Sequence, residues 1–280
     1  MELLETLRAE KKQGRKGGIY HQTQILFAYN SNRIEGSHLS SEQTRYIFET
    51  HTFLPQSANE VIHTDDVVET LNHFRAFDYL LEVAHVPLTQ DIIREFHKII
   101  KSGTTDARDP AFAVGEYKKK PNMIGETVYT ASPEDVPLQM ERLLAGYAGK
   151  AADERSLIDF HYRFEKIHPF QDGNGRVGRL VLFKECLYHG LCPFIIDAEH
   201  KLFYYRGLKE YQSEPGYLID TCLDAQDHYK ALLNYFRVSV PRSALDAVCS
   251  KAVARAAEYN AASAADQYER QRTENNPERG

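Results

Sequence analysis

Apolar residues in this chain recur at steps of three, four and seven almost from end to end, a spacing that fits α-helices. Residues 60–83 carry Val61, Val68, Leu71, Phe74, Phe77, Leu80 and Leu81 in such steps. Ile92, Ile93, Phe96 and Ile100 do the same in 90–101, after a break at Pro87 and with Thr89 as cap. Further helices are expected over 40–52 (opened by Ser40), 153–167, 175–189, 200–212 and 216–238. Ser132 to Asp135 reads as the cap of one more, running to Gly146. Only 110–130 departs. Its Gly and Pro and its β-branched end read as a loop or short hairpin, with Pro121-Asn122 near the turn or edge. The expected class is mainly α, a helical bundle with one small β-hairpin.

Composition narrows the function classes. At 280 residues, with 42% hydrophobic and 26% charged, the chain can bury a core unaided. Lys and Arg number 34 against 40 Asp and Glu, so the net charge of −6 gives no bulk basic field and no nucleic-acid partner is expected. The longest apolar run, Ile25 to Tyr29, is far too short for a membrane span. The first residues lack the apolar stretch of a secretory signal. Cys186, Cys192, Cys222 and Cys249 contain no CxxC pair and read as reduced thiols, which points to the cytoplasm. The expected organisation is a helical lead-in over 1–29, a short motif over 30–37, a core over 38–238, and an Ala-rich, partly disordered helical tail over 239–280.

The chemistry concentrates between two of the helices, in His168-Pro169-Phe170-Gln171-Asp172-Gly173-Asn174-Gly175-Arg176-Val177-Gly178-Arg179. Gly173, Asn174 and Gly175 tolerate positive φ, so their N–H groups can converge on an anion at a helix N-terminus. Arg176 and Arg179 stand three apart in the first turn and reach the same anion. Asp172 would repel phosphate unless a divalent cation lay between them, and Mg²⁺ on one carboxylate plus substrate oxygens meets that need. His168 is the nearby proton acceptor at neutral pH. Together these groups point to transfer from a nucleoside triphosphate to a hydroxyl.

The segment is similar to the Fic-family motif HxFx(D/E)GNGRxxR, with every specified position present. The resemblance spans roughly residues 30–235 and implies an all-α domain that moves AMP from ATP onto a protein hydroxyl, with Mg²⁺ and release of pyrophosphate. It gives His168 the deprotonation of a target Ser, Thr or Tyr, and Asp172 the Mg²⁺. The backbone of Gly173 to Gly175, with Asn174, would hold the α-phosphate, Arg176 the α/β region and Arg179 the γ-phosphate. Phe170 would be buried to fix the loop.

Ser31-Asn32-Arg33-Ile34-Glu35-Gly36 resembles the family's inhibitory motif, (S/T)xxxE(G/N). Ser31 and Glu35 share a helix face, and Glu35 would pair with Arg179 in the place of the γ-phosphate. The stretch from Gly115 to Gly125 resembles the family's flap, with Asn122, Met123, Ile124 and Gly125 at the positions that contact nucleotide and dock a target backbone. Lys118 to Lys120 read either as charge near the phosphates or as a solvated run. Tyr204, Tyr205, Leu208 and Gln212 resemble the adenosine-side element, although the family has Asn more often at the position of Gln212. His161 and His168, seven apart, carry no metal-site spacing. The implied partners are ATP and a hydroxyl-bearing protein, the chain itself included, and homo-oligomerisation is open. Removal of AMP, transfer of another phosphate-containing group, and a non-catalytic nucleotide-binding module are the competing functions.

Overall fold

The computed structural model of the protein describes residues 2–124, 128–149 and 152–239, so the 240–280 stretch, with Cys249, and Gly125 lie outside the described residues. Five helices come first: α1 (Leu3–Gln13), α2 (Ile19–Ile34), α3 (Ser41–Thr50), α4 (Thr64–Val83) and α5 (Gln90–Lys101). A two-stranded antiparallel hairpin follows, β1 (Met123–Ile124) and β2 (Val128–Tyr129), with Met123 opposite Tyr129. Then come α6 (Val136–Tyr147), α7 (Glu154–Ile167), α8 (Asn174–Tyr188), α9 (Lys201–Glu210) and α10 (Gly216–Tyr235).

Side-chain caps set several of these boundaries. Ser40 and Gln43 form a reciprocal capping box for α3, Asp153 and Ser156 form one for α7, and Thr89 accepts the Ile92 N–H to open α5. Two expected starts move. Helix α4 begins at Thr64, where Asp65 and Asp66 sit favourably in the first turn, and Val61 is left outside it at 80% exposure. Ser132 caps a turn through Asp135 instead of the helix itself, and α6 begins one residue later with a proline in its first turn. Helix α2 runs unbroken through position 30.

The core forms where α7 and α8 pack against each other and against α2, α4 and α5. Phe164, Val177, Leu180 and Phe183 are fully buried there with Phe77 and Phe96. The Phe183 ring stacks on Phe27 at 5.1 Å and meets Phe77 edge-on at 5.3 Å. Burying each such ring contributes about 2–3 kcal/mol. A second cluster joins Leu182 and Cys186 of α8 to Tyr204, Leu218 and Cys222 of α9 and α10, with Ile34 from the end of α2. The loop 168–173 is thereby held between two anchored helices, with the C-terminus of α2 beside it. Among the described residues no helix is long and apolar enough to cross a membrane.

Candidate active site

His168 closes α7 in the left-handed region (φ 53°), with its N–H on the Phe164 carbonyl. A non-glycine residue held there costs on the order of 1–2 kcal/mol, which the packing on both sides offsets. Its Nδ1 lies 3.3 Å from the Glu165 carbonyl, which only accepts, so the proton sits on Nδ1 and Nε2 is left as the acceptor. Burial lowers the imidazole to about 4, with the nearby Lys118 ammonium acting in the same direction. The ring is a neutral base at physiological pH.

Gly173 supplies the expected positive φ (77°) and caps α8. A Cβ there would only touch Lys101 and His97, which lie beneath the loop, so it is the positive φ that favours glycine. Phe170 is fully buried, as expected, and stacks on the His97 ring at 4.0 Å and 10°. His97 Nδ1 accepts the Gly115 N–H, so its Nε2–H donates to the Asp172 carbonyl at 3.1 Å. The Asn174 side chain turns into the loop. Its Oδ1 accepts the Phe170 N–H and its Nδ2 donates to the Phe170 carbonyl, both at 2.8 Å, so its amide pins the loop from inside. The backbone groups at the start of α8 are left as the donors suited to an anion.

Arg179 is buried, donates from Nε to Ser31 Oγ (3.1 Å), and donates from its second amino nitrogen to the Ser31 carbonyl (2.8 Å) and Glu35 Oε1 (2.7 Å). Burial opposes its charge, but Glu35 outweighs that and raises its pKa. Glu35 is the C-cap of α2, and a methyl group on Gly175 would overlap its carboxylate. The carboxylate therefore sits against the first turn of α8, where an anion is favoured.

Arg176, expected at the α/β-phosphates, is held by acidic neighbours. Its buried guanidinium is paired with Glu69 of α4 and reaches Asp172 Oδ2 at 3.3 Å. Lys101 Nζ bonds the same Oδ2 at 2.7 Å, Asp106 at 2.8 Å and Glu69 at 3.0 Å. Burial would raise the Asp172 carboxyl, but Arg176, Lys101 and the Gly173 N–H together hold it down at about 2.

Comparison with known proteins identifies the family. The Fic/DOC family profile matches residues 87–185, which take in the loop and both flanking helices. The chain contains a Fic domain. It is 33% identical to protein adenylyltransferase fic-1 of Caenorhabditis briggsae over 199 residues, 68% of this chain and 37% of that protein. It is 28% identical to protein adenylyltransferase Fic of Nematostella vectensis over 190 residues, 65% of this chain and 42% of that protein. The chain thus spans under half the length of these curated relatives. A Fic domain containing signaling protein from Bacteroides thetaiotaomicron superposes with TM-score 0.62 at 27% identity, over 83% of this chain and 90% of that one. Fic-1 of Caenorhabditis elegans (residues 134–508) shares the fold at TM-score 0.60 and 22% identity, over 83% of this chain and 70% of that one.

The hairpin of this Fic domain is tied to the 168–173 loop at its root. Asn122 Nδ2 donates to the Phe170 carbonyl (2.9 Å), Lys118 N–H to Pro169 O (2.8 Å) and Ala131 N–H to Ile167 O (3.3 Å). Met123 and Ile124 are exposed. Lys118 is 2% exposed and bonds Asn122 Oδ1 (2.6 Å) and Thr130 Oγ1 (2.7 Å), whereas the neighbouring Lys119 is solvated on Glu116. Burial lowers the Lys118 ammonium to about 8.

The expected adenosine-side residues divide. Tyr204 is buried with its hydroxyl sharing a 2.7 Å hydrogen bond with His161 Nε2, and it packs in the core beneath Arg179. Tyr205 is partly exposed and donates to the Ile34 carbonyl at 3.0 Å. Leu208 is half-buried beside the second cluster, and Gln212 is exposed beyond the end of α9.

Asp172 suits a hard dication. It is an oxygen donor with 44% of its side chain exposed, and both cations fall on Oδ2 while Oδ1 receives neither. One carboxylate oxygen plus substrate oxygens is a fitting set for Mg²⁺. Sequence reasoning missed Lys101, Glu69 and His97, which lie on other helices and reach the loop only through the fold.

Proposed function

We propose that this chain is an autoinhibited protein adenylyltransferase, which moves AMP from ATP to a Ser, Thr or Tyr hydroxyl of a protein and releases pyrophosphate. The observation that carries the reading is the Glu35 carboxylate on Arg179, against the first turn of α8 and beside a neutral His168 with Nε2 unprotonated. A carboxylate is held where a terminal phosphate would lie.

In the productive state Arg179 exchanges Glu35 for the γ-phosphate, and the backbone N–H groups opening α8 take the α-phosphate. His168 Nε2 accepts the proton of the hydroxyl as its oxygen attacks the α-phosphorus. The bond from that phosphorus to the bridging oxygen breaks, and pyrophosphate leaves with the electron pair. Asp172 would hold Mg²⁺, which when bound neutralises phosphate charge. The exposed strands of the hairpin, fixed at their root to the loop that carries His168, would align an extended target backbone. Reduced buried cysteines are in keeping with a cytoplasmic setting.

Incubation with ATP labelled at the α-phosphate tests the reading. Glu35→Gly is expected to label itself or lysate proteins far more than the unchanged chain, and Glu35→Gly/His168→Ala to lose that label. Equal labelling in the presence and absence of His168 would refute the assignment.

A further inference from the structure

The site contains a permanent cation that the reading above does not use. Lys101 ends α5, is 2% exposed, and carries its ammonium beneath the loop, with its stem against Gly173. It bonds Asp172 Oδ2, Asp106 and Glu69 at 2.7–3.0 Å, and Glu69 in turn holds Arg176. Three carboxylates thus face two fixed cations, and both cations converge on one oxygen of Asp172. A carboxylate so engaged attracts a cation less than a free one, because part of its charge is already met by fixed cations.

We propose that Lys101 is a positioning residue that turns Asp172 into a one-oxygen ligand, so that this Fic domain takes up its divalent cation together with nucleotide and holds it poorly alone. The proposal rests on the nucleotide reading and adds how the same site handles metal. A cation meeting Oδ1 by itself finds one protein oxygen and a fixed ammonium across the carboxylate. A cation arriving on a triphosphate brings most of its oxygen ligands with it, and the phosphates offset the repulsion from Lys101. The metal and the nucleotide then bind with positive coupling, of equal size in either order.

The test uses Mn²⁺ as the probe, with free Mn²⁺ counted by electron paramagnetic resonance, on the full chain with and without ATP. The variants are Lys101→Gln, Asp106→Asn, and the two combined, which removes one positive and one negative charge and leaves the core balanced if Lys101→Gln alone does not fold. Release of Asp172 is expected to tighten Mn²⁺ binding without nucleotide by roughly tenfold. It should shrink the ATP-dependent gain by the same factor, whereas Asp106→Asn alone leaves both unchanged. A merely structural lysine would move the melting temperature and not the Mn²⁺ isotherm. Equal or weaker Mn²⁺ binding in the combined variant, or no detectable binding in either chain, overturns the proposal. Failure of the AMP-transfer reading is separate, since it appears as absence of label from ATP whatever the Mn²⁺ isotherm shows.

Discussion

Replacing Glu35 by glutamine keeps the shape of the side chain and removes the charge that faces Arg179. The two groups meet at 2.7 Å, with the arginine side chain 3% and the glutamate side chain 27% exposed. Unit charges centred about 4 Å apart attract by about 4 kcal/mol at an effective dielectric of about 20. Because part of the carboxylate faces water, about 2–3 kcal/mol is a fair net figure. Arg179 keeps its bonds to Ser31 Oγ and the Ser31 carbonyl, so the guanidinium stays in place without its countercharge. On the proposed reading, a γ-phosphate displaces Glu35 in the unchanged chain and meets no such competitor in the Glu35→Gln chain. The ATP dissociation constant should therefore fall roughly 30- to 150-fold, while the melting temperature without nucleotide drops by about 4–10 °C. Calorimetric titration with ATP and with ADP, in Mg²⁺, measures both sides. ADP lacks the third phosphate and should gain much less than ATP. An unchanged ATP constant, or an equal gain for ADP, would show that the carboxylate and the γ-phosphate do not compete for Arg179.

Stability should peak between about pH 6.5 and 8. Burial holds His73, His97 and His161 at about 3 and His168 at about 4, so each contributes stability above the unfolded value near 6.5 that is lost as pH falls toward the folded value. Glu165 acts oppositely. Burial raises its carboxyl to about 8, so stability declines as pH rises from about 4.5 to that value, and Glu165→Gln should flatten the alkaline limb of melting temperature against pH. Asn174→Ala strands the buried Phe170 N–H and should cost about 2–3 kcal/mol in urea unfolding, with loss of transfer activity as the loop loosens. Gly175→Ala places a methyl group on the Glu35 carboxylate and beside Arg179, so it should evict the glutamate yet weaken ATP binding, the reverse of Glu35→Gln in the same titration.

What was legible in the sequence was local. Ser40 and Thr89 announce helix starts because a cap needs only residues within one turn, and Gly173 announces a positive φ because its neighbours fix the bend. The link between Arg179 and Glu35, 144 residues apart, was readable only because each belongs to a recognisable motif. Lys101 and Glu69 have no such flag. Their pairing with Asp172 and Arg176 depends on where α4 and α5 cross the end of α8, which spacing alone does not encode. The inward hydrogen bonds of Asn174 were not readable for a related reason. An amide donates and accepts equally well, and whether it meets a phosphate or its own loop is decided by the rotamer that packs Phe170.

The tether between Glu35 and Arg179 has a consequence for dosage. A competitor carried on the same polypeptide keeps one fixed stoichiometry with its target, and no change in protein level dilutes it away. On the proposed autoinhibition, cells expressing more of such a chain would obtain more restrained molecules, not escape from restraint, and output would be set by whatever shifts the glutamate and only secondarily by abundance.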